Sequence, residues 1–424
     1  YPLRRQRQMC IRDRNASEIK LNSTYILMAV FCGFIIIGFV FGGRHSFGFL
    51  MRPITLDLGW SRETLSIIFG AQSLINGMAA PFLGAIADRW GVGRTITVGC
   101  LLYASGVFIM TISISPITMF IGAGVFVGIG VSACGLPILV GVISKIAPDN
   151  KRSLMIGIVT TGATAGQLLI IPSFQWGIQL FGWHYALLIL SICFFCLLPL
   201  GWFLSHVSNL LSEAQTKKNN SSQSLSEALI EARSNSGFIL LILGFFVCGF
   251  QIQFMYTHLP AFIEDGGLTL SFAAKAMVLL SIFNMAGAWT AGFLGDRYRK
   301  KYLLAGIYIL RAFFITIFTL LPNSESSILI FCACIGFIWL GTVPLTSGII
   351  AQLFGSAFMS TLFGIVYLGH QMGNFMGAWI GGLIFDITGT YHLAWWLSVI
   401  LSIFAALIHL LLRDQPVERL IKTN

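Results

Sequence analysis

The sequence predicts an all-α membrane protein with 12 transmembrane helices in two pseudo-symmetric six-helix halves, and three observations carry that expectation. The first is composition. Hydrophobic residues make up 56% of the 424 residues and charged residues 10%, with a mean hydropathy of +0.84. A soluble globule of this composition could not keep its apolar surface from water. The second is length: the chain divides into stretches of about 20 mostly apolar residues, the length that a span needs. The third is a repeat. Gly84-Ala-Ile-Ala-Asp88-Arg89-Trp90-Gly91-Val92-Gly93-Arg94 returns half a chain later as Gly292-Phe-Leu-Gly-Asp296-Arg297-Tyr298-Arg299-Lys300-Lys301.

The predicted spans, numbered α1 to α12 in chain order, lie near 24–46, 62–84, 95–115, 118–145, 153–179, 184–205, 236–259, 270–294, 302–321, 326–350, 356–383 and 391–412. With no water to satisfy the backbone, segments of this length must be helices. The expected organisation is a leader over 1–14, an N-terminal half over 24–205, a cytoplasmic linker over 206–235, a C-terminal half over 236–413 and a tail over 414–424. Residues 1–14 form a basic run with neither an initiating Met nor an apolar core, and read as a non-native leader rather than a signal peptide.

The net charge of +10 resembles a nucleic-acid signal until the charges are placed. Apart from Arg44, Arg52, Arg62, Lys275 and Arg311, every Lys and Arg falls in the N-terminus, the alternate loops near 89–94, 145–152, 206–235 and 297–301, or the tail. By the positive-inside rule that side is cytoplasmic, with both termini on it. The charge thus reports topology, and no nucleic-acid partner is implied; the expected setting is the plasma, or bacterial inner, membrane, with lipid as partner and the chain a monomer. All Cys but Cys10 sit in apolar stretches, where Cys behaves as a small hydrophobe. No disulfide framework, metal site or cofactor is expected, Cys193-x-x-Cys196 included.

Taken in order, α1 carries Arg44 and His45 among Gly42, Gly43 and Gly48. A cation in a span is costly unless it snorkels to an interface or serves a function, and the glycines leave room around it. In α2, Gln72 and Asn76 share one face, either lining a cavity or bonding a neighbouring helix. The loop from Gly84 through Asp88, Arg89 and Gly91 to Arg94 reads as a conformational latch that joins and releases helix bundles, with Asp296 and Arg297 its counterparts. The glycines of α4 and α5 suit close helix packing. Within the linker, Ser224-Leu-Ser-Glu227 reads as a capping box that opens an amphipathic helix over 225–233. Further along come His258 in α7, Asn284 in α8, Arg311 near the membrane midplane in α9, and His370 and Asn374 in α11.

All sixteen carboxylates fit loops, tails or helix ends, which leaves Arg44 and Arg311, one from each half, without a buried acidic partner. A buried cation calls for something negative. The simplest visitor is an anionic substrate, with Arg44, His45, Gln72, Asn76, His258, Asn284, Arg311, His370 and Asn374 as the candidate binding residues.

The two Asp-Arg loops resemble the signature loops of the major facilitator superfamily. Across 24–413 the chain resembles that superfamily's monocarboxylate porter and oxalate–formate exchanger branch, on Arg44-His-Ser-Phe-Gly, Asp57-Leu-Gly-Trp60-Ser61-Arg62, Gly182-Trp183-His184 and Asp386-Ile-Thr-Gly389-Thr-Tyr391. The resemblance implies alternating-access transport of a small organic anion, a monocarboxylate, with protons or a counter-anion as coupling partner. It also implies a cation at Arg44 or His45. The arginine that the branch carries in α8 is missing, since Asn284-Met-Ala-Gly287 is followed by Ala288, and Arg311 would replace its charge from α9. The runner-up readings are efflux of a larger amphiphile and anion exchange without proton coupling. An enzyme is not expected, for the chain has neither a His-Glu-x-x-His motif nor a nucleophile elbow.

Overall fold

A computed structural model describes residues 23–135, 138–139, 152–212, 225–355 and 359–417. Among the described residues, ten stretches are long and apolar enough to cross a membrane. One of them, Ile158–His206, contains Gly182 at φ 81° and ψ 168°, a left-handed conformation open to glycine and costly to other residues. The chain turns back there, so this stretch holds two passes. Met359–Thr388 is a further helix of 30 residues, whose His370, Gln371 and Asn374 lower its hydropathy. With these two additions the described helices are consistent with the twelve expected.

The observed elements are α1 Ser23–Ser46, α2 Arg62–Trp90, α3 Val92–Thr111, α4 within Pro116–Cys134, α5 and α6 on either side of Gly182, α7 Ser236–Asp265, α8 Leu270–Arg297, α9 Lys300–Leu320, α10 as Glu325–Phe337 and Thr342–Phe354, α11 Met359–Thr388 and α12 His392–Leu411. After α1, a 3-10 turn, Phe47–Leu50, leads into a short helix, Met51–Leu58, that ends at Gly59 in the left-handed region. Ser61 caps α2 by accepting from the Thr64 amide, and Thr269 caps α8 from the Phe272 amide, as short polar side chains do at N-termini. The linker helix runs over Leu225–Ser234 with Glu227 in its first turn; Ser224, the first residue of the expected capping box, lies outside the described residues.

The two halves repeat one packing scheme. Small residues allow membrane helices to touch backbone to backbone: Gly166 of α5 faces Gly38 of α1, and Gly373 of α11 faces Phe246 of α7. In the same way Gly128 of α4 meets Gln72 of α2, and Gly336 of α10 meets Leu280 of α8. Shifting each pair of the first half by six helices produces its counterpart in the second. Between halves, Gly70 and Gly77 of α2 pack on Phe375 and Gln371 of α11, while α5 and α8 meet where Ser281 Oγ donates to Gln167 Oε1 at 3.1 Å. The two faces of the bundle differ in charge. Arg94 and the cluster Arg297, Arg299, Lys300 and Lys301 mark a basic face, and Arg52, Arg62, Glu264, Asp265 and Asp386 lie on the opposite one.

Candidate functional site

The last turns of α1 bring Arg44 and His45 to the seam between halves. Arg44 is buried; its Nη2 donates to Ser73 Oγ of α2 at 2.5 Å and to Gln253 Oε1 of α7 at 3.5 Å. The hydroxyls of Tyr367 and Tyr103 stand within electrostatic range of the guanidinium. His45 lies flat on Tyr256 of α7, ring centroids 3.7 Å apart, and the Tyr256 hydroxyl donates to Gln167 Oε1 of α5 at 3.0 Å. From α11, Tyr367 Oη receives Asn76 Nδ2 at 3.5 Å, and Gln371 Oε1 receives Asn374 Nδ2 at 2.5 Å. His370 stacks beside Tyr367 and places Nδ1 3.3 Å from Gln371 Oε1. Five helices thus deliver polar side chains to one buried locus.

That locus is not saturated. Arg44 Nε, His45 Nδ1, Gln72 Nε2, Gln371 Nε2 and Asn374 Oδ1 are buried without a hydrogen-bond partner. Buried polar atoms are nearly always paired, because desolvation without a bond is expensive. Arg44 and Gln371 each hold an idle N–H there, a further one belongs to Gln72 on α2, and among the ion pairs of the described residues none involves Arg44. A group with acceptor oxygens and negative charge would satisfy it.

Arg311 and Asn284 belong elsewhere. Between Phe337 and Thr342 the helix α10 is interrupted, which strands main-chain groups. Arg311 Nη2 donates to the Trp339 carbonyl at 2.5 Å and the Ile338 carbonyl at 3.3 Å, and Nη1 donates to Gln251 Oε1 at 3.0 Å. Asn284 Oδ1 accepts from the Leu340 amide at 3.1 Å. Both side chains hold the break in α10, and the structure does not bring Arg311 to Arg44. The link is indirect: Trp339 meets Tyr256 edge to face at 6.2 Å, and Tyr256 carries His45.

His258 lies on the opposite face, in a clamp that joins the halves. Arg62, the first residue of α2, makes a bidentate pair with Asp265 at the end of α7, at 2.5 and 2.8 Å, and its Nη1 also donates to Tyr391 Oη at 2.8 Å. Asp386, near the end of α11, accepts from the amides of Arg62 and Glu63 at 3.1 and 2.6 Å, a carboxylate seated on a helix N-terminus. Trp379 Nε1 donates to Glu63 Oε1 at 3.0 Å, and Arg52 pairs with Glu264 at 3.4 Å. The sequence reading set the charges of this clamp at loops and helix ends and His258 among the candidate binding residues, and missed their association. Its only traces were the Arg62, Glu264-Asp265 and Asp386 signals at the ends of spans, which become complementary only when the helices assemble.

Of the latch residues, the side chains of Asp88, Arg89 and Asp296 lie outside the described residues. Gly91, at φ 97°, closes α2 and opens α3. Gly84 has open space where a side chain would be, and Arg94 is exposed. In the second copy Arg297 sits over the Phe293 ring at 4.0 Å. Beside it Arg299 binds Asp414 at 2.6 Å, and Gln352 Nε2 donates to the Asp414 carbonyl at 2.7 Å, around an indentation of about 350 Å³. The Asp414 carboxyl is pushed up by partial burial, but the Arg299 hydrogen bonds and charge outweigh this and hold it below the usual carboxylate range. Among the described residues no group of three or more His, Cys, Asp and Glu side chains is placed to hold an ion.

The family profile described as Major Facilitator Superfamily matches residues 29–362 and 290–423. The chain is 25% identical over 357 residues to the MFS-type transporter YcxA of Bacillus subtilis, covering 82% of this chain and 86% of that one. It is 23% identical over 369 residues to Monocarboxylate transporter 13 of Rattus norvegicus, covering 86% and 83%. Among solved structures it resembles a bacterial homologue of the human lysosomal transporter Spinster in an inward-facing, unoccupied conformation, with TM-score 0.77, 14% identity and coverage of 94% and 100%.

Proposed function

The chain belongs to the Major Facilitator Superfamily, and on that premise we propose that it is a secondary active transporter of a small organic anion, a monocarboxylate, which it carries by alternating access through the locus around Arg44. One observation carries this reading: a buried guanidinium at the seam of the halves, with an idle N–H and no acid paired to it. A monocarboxylate supplies the missing charge and the acceptor oxygens, and its two oxygens suit the planar guanidinium fork. The same charge repels a cationic drug. The several monocarboxylate transporters among the relatives support the substrate class.

In this reading Arg44, His45, Gln72, Asn76, His370 and Asn374 contact or bound the substrate, Asn284 and Arg311 support the wall behind Tyr256, and His258 serves the clamp. The basic face is cytoplasmic, and the loops at Asp88 and Asp296 latch it. Counterflow into proteoliposomes, with a panel of labelled monocarboxylates at two pH values, tests the proposal. Saturable exchange of at least one acid supports it; no saturable exchange of any acid at either pH refutes it.

A further inference from the structure

We propose that His258 is a proton-binding site governed by the clamp, vacant while Arg62 is seated and filled when Arg62 withdraws. The inference rests on the alternating-access part of the functional reading and not on the substrate.

The hydrogen bonds assign the imidazole. Its Nε2 lies 2.8 Å from the Ala378 carbonyl of α11, which can only accept, so Nε2 carries the hydrogen. The lone pair is then on Nδ1, 3.2 Å from Tyr391 Oη, whose hydroxyl donates to it. That same oxygen accepts from Arg62 at 2.8 Å. The ring is thus neutral, its one basic atom is occupied, and a guanidinium stands one hydroxyl away. A proton on Nδ1 would set two cations about a single oxygen, which like-charge repulsion opposes.

The clamp divides unequally when the halves part. Arg62 is on α2 and leaves with the first half, as does Arg52, which precedes it. His258, Glu264 and Asp265 on α7, Asp386 on α11 and Tyr391 before α12 all stay with the second half. From the remaining packed elements His258 is faced by Ser66 Oγ of α2 at 3.5 Å and the ring of Phe254, and Trp395 of α12 packs behind that ring, with no charge among these. Separation therefore replaces a cation with carboxylates that have lost theirs. One proton from the medium on that face can then settle on Nδ1, while the Tyr391 hydroxyl turns to donate to a freed carboxylate. The proton arrives from bulk water and no other bond is made or broken. Acid on the opposite face consequently favours opening there, and one linked proton allows at most a tenfold change in the open-to-closed ratio per pH unit.

The full chain in lipid nanodiscs, without substrate, tests this by single-molecule energy transfer between dyes on click-reactive residues introduced at Leu56 and Ser326, both exposed near that face. The expected result is an open fraction that rises as pH falls from 8 to 5, a flat response in His258→Gln, and a raised open fraction at all pH values in Arg62→Gln. A flat wild-type response overturns the proposal. So does a slope that survives in His258→Gln, which would move the proton to the carboxylates. If His258→Gln does not fold, Tyr391→Phe, which removes the hydroxyl shared by Nδ1 and Arg62, must shift the midpoint of the response; an unmoved curve overturns the proposal. Because no substrate is present, failed counterflow with an intact slope would remove the monocarboxylate reading alone.

Discussion

Replacing Arg44 and Arg311 separately should split two roles that their shared charge makes look alike. Arg44 spends few donors on the protein, one at 2.5 Å to Ser73 and one at 3.5 Å to Gln253, and keeps Nε idle. Arg44→Gln therefore removes a charge-assisted contact to substrate of about 1.5–3 kcal/mol, or roughly ten- to a hundredfold in Kd, with little loss of fold. Arg44→Lys keeps the charge but not the planar fork, and should recover only part of that affinity. Arg311 also keeps Nε idle, but both of its Nη groups are spent on the protein, on Gln251, Cys248, Ile338 and Trp339. Arg311→Met strands two main-chain carbonyls at a cost of about 2–6 kcal/mol. Relief of a buried, unpaired cation offsets part of this, leaving a net loss of order 1–3 kcal/mol. Direct binding of a transported acid by calorimetry, alongside thermal unfolding in the same detergent, separates the two. Arg44→Gln should lose affinity at near-constant Tm, and Arg311→Met should lose Tm while its folded fraction binds within about threefold of wild type. Wild-type affinity in folded Arg44→Gln would refute the anion locus, and an Arg311→Met protein of wild-type stability would refute the strut.

Cysteines introduced at Ser234 and Asn323 should label from opposite sides with an impermeant maleimide in oriented vesicles; equal labelling from one side would break the topology. Asp88→Asn should slow turnover far more than it weakens substrate binding, and Asp296→Asn should do the same more mildly, since its loop has no glycines matching Gly91 and Gly93. Unchanged transport rates in both would remove the latch. Because Arg299 holds Asp414 below its unfolded range, the pair contributes stability above the ordinary carboxylate range of about 4 and loses it as pH falls through the lowered value. The Tm gap between wild type and Asp414→Asn should then be constant at neutral pH and close only in strong acid; a gap already closed at pH 6 would contradict the assignment.

What was legible in the sequence follows from how locally each feature is encoded. Spans are written in runs of apolar residues and the halves in a repeated loop, so both could be read without knowing which helix meets which. The break between 179 and 184, which holds Gly182, was readable for the same reason. The depth of Arg311 also came from counting residues along one helix, but its neighbours did not: an interruption in α10 at residues 338–341 has no hydropathy signature. The clamp was less legible still, since Arg62 meets Asp265 and Tyr391 across 203 and 329 residues. Taken singly, each of those side chains resembles an interfacial charge of the kind that any span end carries. Arg44 was found because a cation within an apolar run is conspicuous by itself, whereas the idle amides of Gln72 and Gln371 show their meaning only in the assembled seam.

The strut at the break in α10 has an evolutionary consequence. Arg311 grips the carbonyls of Ile338 and Trp339, and Asn284 grips the amide of Leu340; all three are groups that any amino acid except proline presents. The support therefore rests on main-chain groups, and only the Arg311 guanidinium over the Trp339 ring, at 5.5 Å, depends on a side chain it supports. Trp339 leans on Tyr256, so exchanging it leaves the main-chain acceptors of the break in place but gives up the ring contacts to Tyr256 and Arg311. Variation at residue 339 is thus uncoupled from the bonds that fasten the break but not from packing, since Trp339 is fully buried and emptying such a site costs about 3–5 kcal/mol.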